Sequence, residues 1–217
     1  MVTKKIVVLI SGNGSNLQAL IDKLHKQQVN NHNIEIIAVI SNKTDAYGLQ
    51  RATEANIPAI LIESKGISSR EEYDRLLTAE LDKLQPDLIL LAGFMRILTP
   101  DFVNQYSGKM LNIHPSLLPK YQGVNTYQRA IDAGEKEHGA TVHFVTPELD
   151  SGPTVLQAKV PIFEEDNAQE LAERVLTQEH QIYALAASWF IDGRLVMQDN
   201  YALLDGKQLG EFGYAPD

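Results

Sequence analysis

Cysteine is absent from the sequence. Without a thiol there is no disulfide, no thiolate nucleophile and no cysteine-ligated zinc, and a reducing compartment suits such a chain. Basic charge is scarce: 19 lysines and arginines stand against 28 aspartates and glutamates, and the formal net charge is -9. The densest basic stretch is Lys4-Lys5. Nucleic acid is bound through a basic face, so no nucleic-acid partner is expected. An acidic total still leaves room for a local basic pocket around one phosphate. Long apolar runs are missing as well. A membrane-spanning helix takes about 20 apolar residues and a signal-peptide core about 7–15. The run behind the N-terminus, Ile6 to Ile10, has only five. The expectation is a cytoplasmic chain with no membrane partner. No His-Glu-x-x-His spacing occurs and no Gly-x-Ser-x-Gly elbow, so neither a metal nor a serine nucleophile is expected.

What is present suffices for a core. The chain has 217 residues, of which 44% are hydrophobic, a size for one α/β domain over 1–217. Ile6–Ile10 reads as a strand, followed by a glycine-bearing loop and a helix with Leu17, Leu20, Ile21 and Leu24 at helical spacing. Further strands are expected at Ile34–Ile40, Ile57–Ile62, Leu88–Ala92, Lys109–His114, Thr141–Thr146 and Val155–Ile162. Helices are expected after the break at Ser41–Asp45 through about Ala55, over 69–84 and over 167–190. In the helix over 69–84, Tyr73, Leu76, Leu77, Leu81 and Leu84 are expected on one face. The last 25 residues read as a hairpin and a tail. Alternating strands and helices imply an open, mostly parallel twisted sheet with helices on both faces. The strands near 141–146 and 155–162 lie too close in sequence for a crossover and should pair antiparallel at one edge.

Two places carry candidate chemistry. The loop Ser11-Gly12-Asn13-Gly14-Ser15-Asn16 opens a helix, and backbone N–H groups there can cradle an anion. It lacks the third glycine of the dinucleotide fingerprint and the Gly-Lys-Ser/Thr of the P-loop. Equally, Ser15 or Asn16 could simply cap the helix. The second place is Asn112-Ile113-His114. Residues two apart on a strand share a face, and these lie at the carboxyl end of their strand, where open α/β sheets bind ligands. An amide donor beside an imidazole suits a developing oxyanion. Asp150, in a loop after another strand, could orient His114 and favour its charged form. The alternative is that His114 ends a strand and Asp150 starts a turn. Of the other histidines, His143 reads as structural or as a support behind the site. His25, His32 and His138 read as surface positions, and His180 as structural.

The segments LISGNGSNLQAL (9–20), LLAGFMRIL (90–98), LNIHPSLLPKYQG (111–123), HGATVHFVTPELDSGP (138–153) and TQEH (177–180) resemble those of phosphoribosylglycinamide formyltransferases, in order along the whole chain. The resemblance implies a Rossmann-like formyltransferase fold, with a nucleotide-phosphate half over about 1–100 and a folate and catalytic half over about 88–190. It implies Asn112, His114 and Asp150 as the catalytic trio. Gly14, Ser15 and Asn16 would cradle the phosphate of glycinamide ribonucleotide, and Glu179 would contact its ribose. Arg70, Met95, Arg96, Ile97, Leu98, Asn112, and the loop Thr146, Pro147, Glu148, Leu149 and Asp150 would bind the folate. The formyl donor would be 10-formyltetrahydrofolate, with no metal. Two positions depart from the pattern: Leu176, where relatives often carry glutamine, and Val124-Asn125-Thr126-Tyr127, where they often carry histidines. Formyltransferases acting on initiator methionyl-tRNA, hydrolases passing formyl to water, and a non-catalytic binding module are the rival readings. The first carries an added C-terminal domain and a basic surface, the second an added N-terminal domain, and the third has no need of the trio.

Overall fold

The computed structural model describes residues 1–215. In β1 (Val2–Ile10), Ile6, Val8 and Ile10 turn to one face of the sheet while Val7 and Leu9 turn to the other, and all five are fully buried. The run is continuously apolar because both faces are covered. The strand begins four residues before the run. Val2–Lys5 has a strand neighbour on one side only, so its side chains stay near solvent and its sequence is largely polar.

From there the chain alternates as α1 (Ser15–Leu24), β2 (Gln28–Val29), β3 (His32–Ser41), α2 (Tyr47–Glu54), β4 (Ala59–Leu61), α3 (Arg70–Leu84) and β5 (Leu88–Leu91). It continues through α4 (Pro100–Gln105), β6 (Met110–His114), α5 (Thr126–Asp132), β7 (Glu137–Phe144), β8 (Thr154–Pro161) and α6 (Ala168–Ile191). The main sheet has the order β2-β3-β1-β5-β6-β7-β8, with β4 also paired to β3. The pairs of β1 with β3 and β5, of β3 with β4 and of β5 with β6 are parallel. The expected antiparallel edge is present as β7 with β8, and β6 with β7 is antiparallel too. Side chains from α1, α2 and α6 form the core on one face, and those from α3 and α4 form it on the other. Beyond α6, β9 (Leu195–Gln198), β10 (Tyr201–Leu204) and β11 (Lys207–Gln208) form a separate antiparallel sheet, one strand more than the expected hairpin.

Three local expectations need correction, and two helices were not expected. Leu76 is 48% exposed, and the buried face of α3 uses Asp74 instead, whose Oδ2 accepts a 2.7 Å bond from the Thr99 backbone. A carboxylate can hold a helical core position when it ties down a neighbouring loop. β4 is shorter than Ile57–Ile62; Pro58 precedes it and offers only its carbonyl, to Val39. His138 is buried at 1% exposure, because β7 starts at Glu137 and carries it inward. The short helices α4 and α5 escaped periodicity, at six and seven residues. α4 did carry a local signal, with the Thr99 hydroxyl capping it and Pro100 at its first turn.

Tyr183 of α6 ties helix to sheet. Its fully buried hydroxyl lies 2.7 Å from the carbonyl of Leu91, the last residue of β5, and 2.9 Å from that of Leu111 within β6. Tyr183→Phe removes the donor and leaves both carbonyls buried. Urea unfolding should show a loss of about 1–2 kcal/mol with an unchanged m-value.

Candidate active site

β6 alternates. Leu111 and Ile113 face the core that α6 fills, and Asn112 and His114 face the other way at the strand's carboxyl end. β7 runs antiparallel beside it with His143 opposite Asn112 and Thr141 opposite His114. Directly opposed residues share a face, and Asn112 Nδ2 lies 3.2 Å from His143 Nε2. The other ring nitrogen of His143 is 2.8 Å from the Phe144 carbonyl. A carbonyl only accepts, so Nδ1 carries the hydrogen and Nε2 accepts from the Asn112 amide. Burial lowers the His143 pKa, the Phe144 bond opposing it, so the ring stays neutral and can accept. The Asn112 nitrogen is thereby oriented and keeps a second N–H for the site.

His114 is 6% exposed. Its Nε2 donates to the Tyr121 carbonyl at 2.9 Å. Its Nδ1 is 3.5 Å from Asp150 Oδ2, with both side chains under 10% exposed. Asp150 sits at φ +51° in the loop after β7, and the same Oδ2 accepts the Gly123 N–H at 2.9 Å. Gln122 Nε2 reaches the Asp150 carbonyl at 3.3 Å and the Ser151 hydroxyl at 3.1 Å. The 121–123 and 150–151 segments are thus joined beside His114. Gly152 lets the loop fold back, since a Cβ there would stand 1.7 Å from the Phe144 carbonyl oxygen. Asn112, His114 and Asp150, 38 residues apart at the extremes, form one cluster.

At the glycine loop the capping alternative fails. The cap residue of α1 is Gly14 at φ +78°, and no side chain caps the helix. The first-turn N–H groups are therefore open to an anion. A Cβ on Gly14 would lie 2.8 Å from the Cα of Gly48 in α2, and one on Gly48 would lie 2.3 Å from the Ile10 side chain. That close approach brings in Arg51, which sequence reasoning missed. Its Nε donates to the Asn13 carbonyl and an amino group to Asn13 Oδ1, both at 2.8 Å. No spacing rule links a helix residue to a loop 38 positions earlier. Asn16 and Glu179 do meet: Asn16 Nδ2 donates to Glu179 Oε2 at 2.9 Å. Glu179 is 4% exposed, and burial raises its carboxyl above the usual range against the lowering effect of the Asn16 bond.

Met95 and Ile97 are exposed beside buried Leu98, and the Met95 N–H donates to Ser11 Oγ at 2.7 Å, tying the segment to the end of β1. The Arg96 guanidinium lies 4.0 Å over the Tyr73 ring. Pro147, Glu148 and Leu149 are exposed in the loop that ends at Asp150, with Thr146 half-buried at its start. Arg70 is exposed at the first turn of α3, and no hydrogen bond joins it to the cluster among the described residues. The departures at 124–127 place exposed Val124 and Asn125 at the start of α5. His180 makes no bond to the cluster among the described residues, and among them no group of three His, Asp or Glu is arranged to hold a metal ion. No helix among the described residues is long and apolar enough to cross a membrane.

The sheet gathers an amide, an imidazole and a carboxylate at one strand end, and the formyl transferase family profile matches residues 4–187. The chain belongs to the formyl transferase family. It is 55% identical to the phosphoribosylglycinamide formyltransferase of Escherichia coli (strain K12), over 98% of this chain and 99% of that protein. Identity to the Haemophilus influenzae enzyme of the same name is 56% over the same shares. The trifunctional purine biosynthetic protein adenosine-3 of Drosophila melanogaster is 47% identical over 88% of this chain, which corresponds to 14% of that protein. The structure of the phosphoribosylglycinamide formyltransferase of Coxiella burnetii matches with a TM-score of 0.91 at 50% identity, covering 98% of each chain. Within the family the chain stands with these phosphoribosylglycinamide formyltransferases, and it is a transferase.

Glu179 gives a pH signature. Its folded pKa is raised above the reference of 4.5, so folding stability is full below that value and falls as pH rises through the folded pKa. Glu179→Gln keeps the shape and the Asn16 contact without a charge. It should be the more stable protein at pH 7 and show a flatter stability profile above pH 4.5 when melting is followed across pH.

Proposed function

We propose that this transferase moves the formyl group of 10-formyltetrahydrofolate to the amino group of glycinamide ribonucleotide, giving formylglycinamide ribonucleotide and tetrahydrofolate. The observation that carries it is the convergence of Asn112, His114 and Asp150 at the end of β6. As the amine adds to the formyl carbon, charge gathers on the formyl oxygen. The free N–H of Asn112 donates to that oxygen, because its other N–H is held by His143. Nε2 of His114 is engaged by Tyr121, so Nδ1 is the nitrogen that acts. Nδ1 lies 3.5 Å from Asp150 Oδ2, and with Nε2–H held it is the position from which the protonated ring donates to the formyl oxygen. The C–N bond to the folate breaks as a proton leaves the attacking amine and reaches the folate nitrogen, relayed by a water beside Asp150. No covalent link to the enzyme is needed.

The open first turn of α1 at Gly14, Ser15 and Asn16, with Arg51 alongside, would hold the phosphate. Glu179 would hold the ribose hydroxyls. Arg70, Met95 to Leu98, Asn112 and the loop from Thr146 to Asp150 would hold the folate. Residues 1–217 are read as one domain, whose nucleotide and folate halves meet where β5 pairs with β6. The partners are these small molecules in the cytoplasm.

The test follows release of the deformylated folate by absorbance, with and without glycinamide ribonucleotide. Turnover should need the nucleotide. His114→Ala and Asp150→Asn should each lose on the order of 100-fold or more while folate still binds. Equal rates in both cuvettes would make water the acceptor. In the same assay Asn16→Ala and Arg51→Met should raise KM for the nucleotide and leave KM for the folate unchanged; the reverse pattern would put the phosphate elsewhere.

A further inference from the structure

The His114 ring is fixed from the side away from the reaction. Tyr121, whose carbonyl accepts from Nε2, is not glycine, yet its φ is +54°. L-residues with large side chains rarely adopt this left-handed region. The conformation persists because the surrounding contacts hold it. The Tyr121 hydroxyl donates to Glu135 Oε1 at 3.0 Å, and Lys120 Nζ reaches the same oxygen at 2.8 Å. These two donors hold the Glu135 carboxyl below the usual range, so it is an ionised acceptor. The Arg129 guanidinium lies 5.3 Å from the Tyr121 ring and donates to the carbonyls of Gln122 and Val124. Upstream, the Ser116 hydroxyl donates to the Lys120 carbonyl at 2.6 Å, and Thr141, opposite His114 on β7, donates to the Ser116 carbonyl at 2.7 Å.

We propose that Tyr121 is a positioning residue for His114: its phenol, clamped on Glu135, holds the left-handed main chain that keeps the hydrogen on Nε2 and leaves Nδ1 for Asp150 and the reacting centre. The proposal rests on the formyl-transfer reading for its kinetic arm only. Released from the clamp, residue 121 relaxes toward negative φ and its carbonyl leaves Nε2. The neutral ring is then free to place its hydrogen on Nδ1, beside the Asp150 carboxylate. The ring then loses the hold that aims Nδ1 at the reacting centre, and its orientation is no longer fixed.

The experiment compares wild type with Tyr121→Phe, which keeps the ring and loses the phenol, and Glu135→Leu, which removes the anchor from the other side. Long-range proton–nitrogen NMR at pH 8 reads the His114 tautomer without substrates, and steady-state kinetics read turnover. Wild type should show Nε2–H alone. Both variants should show a share of Nδ1–H and a kcat lower by roughly tenfold, with each KM within about twofold of wild type. An unchanged tautomer in both variants overturns the proposal. So does a drop in kcat accompanied by a comparable rise in both KM values, which would mean that the loop is merely disordered. Because the tautomer is read without turnover, failure of the formyl-transfer reading would show in the wild-type assay and leave the NMR result standing.

Discussion

Antiparallel pairing of β6 with β7 sets the geometry of the whole cluster. It places His143 beside Asn112 and Thr141 beside His114 on one face of the sheet. A slip of one residue would turn Asn112 and His114 into the core behind them. That slip is opposed by Leu111 and Ile113, which are buried against α6, and by the Tyr183 hydroxyl, which bonds to the carbonyls of Leu91 and Leu111 in β5 and β6. The register that buries the apolar half of β6 is thus the register that presents its polar half. Thr141 extends the same constraint outward: it bonds to Ser116 and Leu118, and so fixes the path of the loop that returns to His114.

The imidazoles are sorted by what their second nitrogen touches. His114 and His143 each give one hydrogen to a backbone carbonyl, but from opposite nitrogens. His143 therefore offers a bare nitrogen to Asn112, and His114 turns Nδ1 toward Asp150. Burial lowers the pKa of His143 and of His138, which keeps both neutral behind the site. His138 packs edge-on to Tyr121 and Tyr127, at 6.0 and 5.5 Å between ring centres, and so fills the space under the same loop.

At the opposite end of the site the constraint is steric. Gly14 and Gly48 allow the first loop and α2 to touch backbone to backbone. The contact carries Arg51 to Asn13 and leaves the start of α1 open. In a protein of net charge -9 a guanidinium and the start of a helix, with its partial positive charge, thereby stand side by side. Buried Glu179 nearby is tolerated through the Asn16 bond, at a cost that shows in its raised pKa.

The sheet was legible because its strands are short apolar runs between glycine, proline and polar breaks, and burial on both faces writes itself into composition. The face shared by Asn112 and His114 was legible from their spacing alone. Asp150 was legible as a candidate partner of His114 and the resemblance supplied Glu179, and folding brought each to its partner. Leu76 and His138 were misread because burial of a single side chain depends on which neighbour arrives, and neither helical spacing nor a lone histidine encodes that. α4 and α5 are too short to show a period. The sequence determined the longer elements, most of the faces they bury and the identity of the polar groups. Tertiary structure alone decided that Asp150 reaches His114, that Arg51 reaches the glycine loop and that Tyr121 turns its carbonyl to Nε2. Each of these depends on main-chain conformations at positive φ and on contacts between segments 7 to 38 residues apart, which no local periodicity records.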